Sequence, residues 1–362
     1  MGTDFVARRR QLLAALPAGL ILAALPARAT VARREPSLLT CWSDSLTRPR
    51  VFRAGLLGMA SRALDLPARG HDVFWHPSAD GSAVVVARRP GQFMFRWDVA
   101  SGRLLARFDT DDSVRLEGHI TFDQAGERIF ASETDLISGD GQVGVYDASS
   151  LERLDAWPSG GIGPHALKAL ESGRLAVANG GILTLPETGR VKRNLATMDS
   201  SLALIDPLSG AVTEQFRLPD RYMSIRHLAE ARTGEIAVAL QNEGGPLRPL
   251  FALLVGGSLR YGRCGAAQLK RCGTYAGDIA CLDSGFAVSC SSAGVTALWG
   301  KDGVLQGIVP TPSVCALVDK GREVVATADK GYVWLVSARH PDSTGIWRHP
   351  LALDNHAVSG QR

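Results

Sequence analysis

The sequence predicts an all-β fold, a seven-bladed β-propeller closed by a blade shared between its N- and C-terminal segments. Three observations lead there. Short runs of Val, Ala, Leu and Phe are separated by Gly, Asp-Gly and Ser-Gly, and stretches of helical period are almost lacking. One strand ending recurs, in Trp97-Asp98 through Arg103, Tyr146-Asp147 through Glu152, and Ile205-Asp206 through Ala211. Finally, the strands that open each repeat fall at the 40-to-50-residue spacing of propeller blades.

The N-terminus is set apart from this pattern. Arg8, Arg9 and Arg10 precede an apolar run from Leu12 to Ala27 that closes on Ala27-Arg28-Ala29, the layout of a cleavable signal peptide ending before Thr30. The run contains Pro17 and Pro26, is flanked by Arg on both sides and falls short of the ~20 residues a membrane-spanning helix needs. Arg9-Arg10-Gln11-Leu12-Leu13 resembles the twin-arginine export signal, which carries folded proteins across the membrane; an ordinary secretory signal is the alternative. The expected organisation is therefore a signal peptide over 1–29 and a propeller over 30–362, in the periplasm. No second apolar segment of membrane-spanning length follows.

The signal segment carries +3 of the formal +4, so the exported chain is close to neutral. That balance, with no basic run interleaved with aromatics, excludes a nucleic-acid partner. None of the six cysteines belongs to a Cys-x-x-Cys-His sequence, so covalent haem is excluded as well. Cys264 and Cys272 bracket one polar loop, where an oxidising compartment would allow a disulfide.

Each recurring Asp begins a turn in which its carboxylate accepts backbone N–H bonds. The motif reads as the hairpin between the third and fourth strands of a blade. Counting back from those hairpins places innermost strands near Val73, Ile120, Ala166, Leu228, Ile279, Val314 and Ala357, with the third blade enlarged by a loop from Leu183 to Ser201. The last innermost strand, Leu351 to Ser359, has no outer strands after it. Leu38–Trp42, Arg50–Leu57 and Ser61–Leu66 at the other end of the chain supply three, and pairing the two closes the ring.

Five of the eight histidines stand at or just before innermost strands: His71, His119, His165, His227 and His356. Blade order makes them neighbours around one channel mouth, with Asp278 and Ser313 in the equivalent places of blades five and six. The same face should display Arg88, Arg89, Glu133, Asn179 and Gln241. Converging imidazoles with a carboxylate suit a transition metal such as iron or copper. His71, His119, His165, His227, His356, Glu133 and Asp278 are the expected metal set, and Arg88, Arg89, Asn179 and Gln241 the expected contacts to a bound cofactor. Blade spacing argues against all five rings meeting one ion, so a subset such as His71, His119 and His165 is expected to ligate. The structural alternative is a water-filled channel lined by histidines. Gly160–Pro164 and Gly180-Gly181 lack the helix and Lys of a phosphate loop, and no Gly-x-Ser-x-Gly elbow is present.

Several segments occur in a recognisable order: Gly70-His71-Asp72-Val73, Ala87-Arg88-Arg89-Pro90-Gly91, Ser132-Glu133-Thr134-Asp135, and Gly161 through His165. Val177 through Ile182, Gly189 through Lys192, Thr197-Met198 and Ser224 through Ala229 continue it. Together they resemble the bacterial periplasmic family labelled domain of unknown function 1513. That resemblance covers most of the exported chain. It implies a twin-arginine-exported propeller encoded near imelysin-like iron-uptake proteins and a di-haem c-type protein, with no established activity. Where the family's third-blade loop tends to have His-Pro after Thr, this chain has Thr184-Leu185-Pro186, which puts a ligand role there in doubt.

The leading functional expectation is a non-catalytic metal-binding or interaction propeller connected with iron or copper handling. The alternative is a metal-dependent oxidoreductase passing electrons to a c-type haem partner.

Overall fold

Apolar strands three to nine residues long, separated by tight polar turns, bury both faces only by stacking sheet on sheet, and that is how this chain folds. The computed structural model describes residues 33–44, 50–184, 191–337 and 345–360; the proposed signal peptide and residues 185–190 of the third-blade loop lie outside them. Seven four-stranded antiparallel sheets are formed, six of them from consecutive strands running from the channel outward. The seventh has the order Ala352–Ser359, Leu38–Ser43, Phe52–Leu56, Leu64–Leu66, so the C-terminal strand is the innermost and the N-terminal segment supplies the other three.

The innermost strands are Gly70–Trp75, Val114–Phe122, Pro164–Ala169, Met223–Glu230, Asp278–Leu282, Val314–Asp319 and Ala352–Ser359. Each packs against its neighbours in blade order, and Ala352–Ser359 lies between Val314–Asp319 and Gly70–Trp75. The ring therefore closes as expected. The three Asp turns also do what the sequence asks of them. Asp98 accepts from Ser101 N at 2.8 Å, Asp147 from Ser150 N at 2.7 Å and Asp206 from Leu208 N at 3.0 Å, each between the third and fourth strands of its blade.

Two local details depart from expectation. The third N-terminal strand is confined to Leu64–Leu66, because Ala60–Arg62 makes a 3-10 turn. Between blades four and five, Ala266–Cys272 forms a short helix of good helix formers, its start tied by a bond from Gly265 N to Gln268 Oε1. Two turns are too few to show as a period. This helix also decides the cysteine question: Cys264 and Cys272 are not bonded to each other, and the Cys272 thiol meets that of Cys290 in the core.

Cohesion comes from the seams between blades. Leu39, Cys41, Val73, Val85, Phe95 and Trp97 fill the seam between blades seven and one, and Leu38, Trp42, Val325, Val333, Leu335 and Leu353 the one between six and seven. Both clusters need the N- and C-terminal strands to be paired. Deleting residues 349–362 removes the partner of Leu38–Ser43 and bares ladder edges on both sides of the gap. The truncated protein is expected to lose cooperative unfolding or melt well below the full chain in calorimetry; an unchanged thermal transition would contradict this closure.

Candidate functional site

Regular pleating would turn successive side chains of an innermost strand alternately toward the two neighbouring blades. At the channel mouth the strands break that alternation. Pairing slips between Gly70 and Asp72, Leu116 and Ile120, Pro164 and Leu167, and Ile225 and His227. It slips again in the C-terminal strand between Leu353 and Ala357. Each slip is a bulge, which re-aims side chains out of the ladder. His71, His119, His165 and His356 lie within the bulged segments and His227 at the edge of one, so all five rings are sent toward the axis. Gly118 makes room for this: its φ is +101°, and a Cβ there would sit 2.8 Å from His71 Cδ2.

The five rings form one cluster, each at most 7% exposed. His119 is its centre, with ring centroids 5.0 Å from His71, 4.4 Å from His165, 5.1 Å from His227 and 4.8 Å from His356. His71 Nδ1 is 3.0 Å from Asp354 Oδ1, and His119 Nδ1 is 3.2 Å from Asp72 Oδ2. Asp278 lies 3.9 Å from His227 Nδ1 and 3.6 Å from His356 Nδ1. A carboxylate on Nδ1 holds the proton there and leaves Nε2 as the free lone pair, the arrangement found behind metal-bound histidines. Nε2 of His119, Nε2 of His356 and Nδ1 of His165 are buried without a partner. Three sets of candidate ligand atoms lie within 4.8 Å of one another: His71, His119 and His356; His119, His165 and His227; and His227, Asp278 and His356.

The family model described as a protein of unknown function (DUF1513) matches residues 64–360. The chain belongs to this family. No curated protein matches it. Within this DUF1513 member, the matched span holds all seven innermost strands and all five clustered histidines.

Burial, the largest influence on each ring, pushes the imidazole of His71 down to about 3 despite its bond to Asp354. It also lowers His119, more than the bond to Asp72 restores. His165 and His227 are driven well below the ordinary value, by burial first and then by the nearby charge of Arg226 and neighbouring rings. His356 is the exception: burial opposes its charge, but Asp278, Asp72 and Asp354 together outweigh burial and raise it to about 9. Near neutral pH the cluster is thus four neutral imidazoles and one imidazolium among three carboxylates, with Arg69 paired to Asp354 from outside.

The structure separates the expected site residues into two groups. His71, His119, His165, His227, His356 and Asp278 come together, although the triplets are not the expected His71, His119 and His165. Arg88, Arg89 and Gln241 line a cavity of about 240 Å³ over the cluster, bounded below by His71, His165, His227 and His356. Glu133 does not face the mouth. It points into its own blade, bonded to Tyr146 and, at 2.7 Å, to Arg153. Regular pairing from Arg128 to Thr134 turns it toward Gly144, where the lack of a side chain accommodates the carboxylate. Asn179 is likewise internal, bonded to Ser159 and Ser201, and holds the blade together.

Asp72, Asp354, Glu117 and Arg226 were missed. Asp72 adjoins His71 and Asp354 stands two residues before His356, so adjacency to the histidines was the available signal. Glu117 sits in the second-blade bulge, accepting from Thr134 Oγ1 at 2.7 Å.

A pH dependence follows. Below about 6.5 the unfolded chain takes up protons that buried, neutral His71, His165 and His227 refuse until far lower pH, so the cluster's contribution to stability falls as pH drops from 6.5 toward 3. Raised His356 acts oppositely, and its contribution is lost as pH rises from 6.5 through about 9. In chelator-treated protein, denaturation at pH 6.5 and 4.5 should show a steep acid loss. His165→Gln should reduce that loss by up to about 1.4 kcal/mol per pH unit. Identical slopes for the two proteins would contradict the buried neutral state of His165.

Proposed function

We propose that this protein is an exported, periplasmic metal-binding propeller that holds a first-row transition ion, iron or copper, with imidazole nitrogens at the channel mouth. The observation that carries the reading is the orphaned Nε2 of His119, buried at the centre of five rings while Asp72 occupies its Nδ1. A buried nitrogen without a partner costs about 1–3 kcal/mol, and an ion bound to it offsets that cost. Neutral imidazole is a borderline donor that favours iron, copper, zinc or nickel over magnesium or calcium, which take oxygen ligands. His71, His119 and His356 would hold such an ion, which displaces the extra proton of His356, with Asp354 and Asp72 orienting the first two rings. The ion would supply Lewis acidity or redox capacity at the mouth.

Titration of chelator-treated protein with copper, iron and zinc is expected to show saturable binding. The combined His71→Ala and His119→Ala change should abolish it while circular dichroism stays that of the native fold. Asp72→Asn, which leaves every ring in place, should weaken affinity about 10- to 100-fold through loss of ring orientation. No saturable binding by the unaltered protein, or full binding by the double variant, would overturn the metal reading.

Export is proposed on the Arg9-Arg10 pair. Since that pair is read by a receptor rather than as charge, Arg9→Lys with Arg10→Lys should leave precursor in the cytoplasm. Normal export of that variant would remove the twin-arginine route.

A further inference from the structure

Above the histidines, the cavity wall is basic. Arg88, Arg89, Lys192 and Arg226 contribute to it, together with Gln241, Tyr275 and a single carboxylate, that of Glu243. Two of the cations have acidic neighbours: Lys192 is paired with Glu243, and Arg89 lies 3.8 Å from Glu117. Arg226 has none. It is 6% exposed, its Nε is buried without a partner, and no carboxylate lies within 4.0 Å of it among the described residues.

Its position is built rather than incidental. Arg226 is the extra residue in the fourth-blade bulge, between Ile225 and His227, and packs over Gly180, where a Cβ would come within 2.5 Å of its Nη1. Burial and the like charge of Arg89 together depress its pKa to about 10, so it remains a cation. A charged guanidinium, desolvated and without a carboxylate paired to it, is among the costliest arrangements a fold can keep.

We propose that this cavity is a binding site for a small oxyanion, a carboxylate or phosphate group held by the guanidinium of Arg226 with Arg89 at the rim. A guanidinium fork donates two parallel N–H bonds to such a group, and a bound anion supplies the missing counter-charge. Gln241 gives part of the rest of the wall, although its Nε2 already donates to Ala276 O at 3.0 Å. The site stands apart from the metal reading, because Arg226 lacks its counter-ion whether or not an ion occupies the imidazoles beneath.

The test uses the chelator-treated full chain, so that metal binding does not enter. Calorimetric titration with inorganic phosphate and with citrate, against sodium chloride at matched ionic strength, is expected to show saturable binding of at least one. Phosphate alone would assign a phosphate group, and citrate alone a carboxylate. Arg226→Met should weaken that binding at least about tenfold while the ligand-free variant melts no lower than the unaltered protein, since a buried unpaired charge has been removed. Arg89→Gln, at the half-exposed rim, should weaken it about threefold or more and keeps the test readable if the Arg226 variant does not fold. Absence of saturable binding of either anion would overturn the proposal. So would unchanged affinity in both variants, or an Arg226→Met protein that is destabilised yet binds as before.

Discussion

Ala352–Ser359, hydrogen-bonded to Leu38–Ser43, is the strand on which both the ring and the site depend. It brings the two ends of the described chain into one sheet, completing the core seams on either side of blade seven. Its bulge delivers two of the groups at the axis, His356 and Asp354. Thr40 Oγ1 donates to His356 O at 2.7 Å, so the first strand of the N-terminal segment directly fixes the backbone that presents the last histidine. Closure and site assembly are consequently a single event: an open ring would lack one ring of the cluster and the carboxylate that orients His71.

The electrostatics of the mouth follow from how tightly closure packs these groups. Five imidazoles, each within about 5 Å of at least two others, cannot all be charged, and burial keeps four neutral, whereas three aspartates hold a proton on the fifth. The carboxylates lie on the Nδ1 side of His71, His119, His227 and His356, and one nitrogen each of His119, His165 and His356 is left without a partner. Above, the sign reverses, and guanidinium and ammonium groups line the cavity entrance. Imidazoles and carboxylates thus lie beneath a wall of guanidinium and ammonium groups.

The architecture was legible because its signals are local. An Asp that accepts backbone amides two or three residues further on marks the same hairpin in three blades, and an innermost strand without outer strands of its own pairs with the N-terminal segment. The convergence of histidines was legible for the same reason, since each sits at the start of an innermost strand. What failed depended on register. Glu133 and Asn179 were assigned to the mouth from their place at strand ends, but their own stretches pair regularly, and alternation sends them into the blades. Asp72, Asp354 and Arg226 escaped notice because they reach the axis through bulges, where the two-residue period that assigns faces no longer holds. The Cys264–Cys272 pairing failed because a seven-residue helix carries Cys272 to Cys290.

A metal ion can bind here only where free imidazole nitrogens converge on one place. Anomalous diffraction at a metal absorption edge, from crystals of protein isolated after native export, tests it most directly. The expected result is a peak on the channel axis about 2.0–2.2 Å from Nε2 of His119 and from at least two neighbouring ligands. A metal bound elsewhere on the chain, or an axis occupied only by water in protein that was never exposed to chelator, would contradict it.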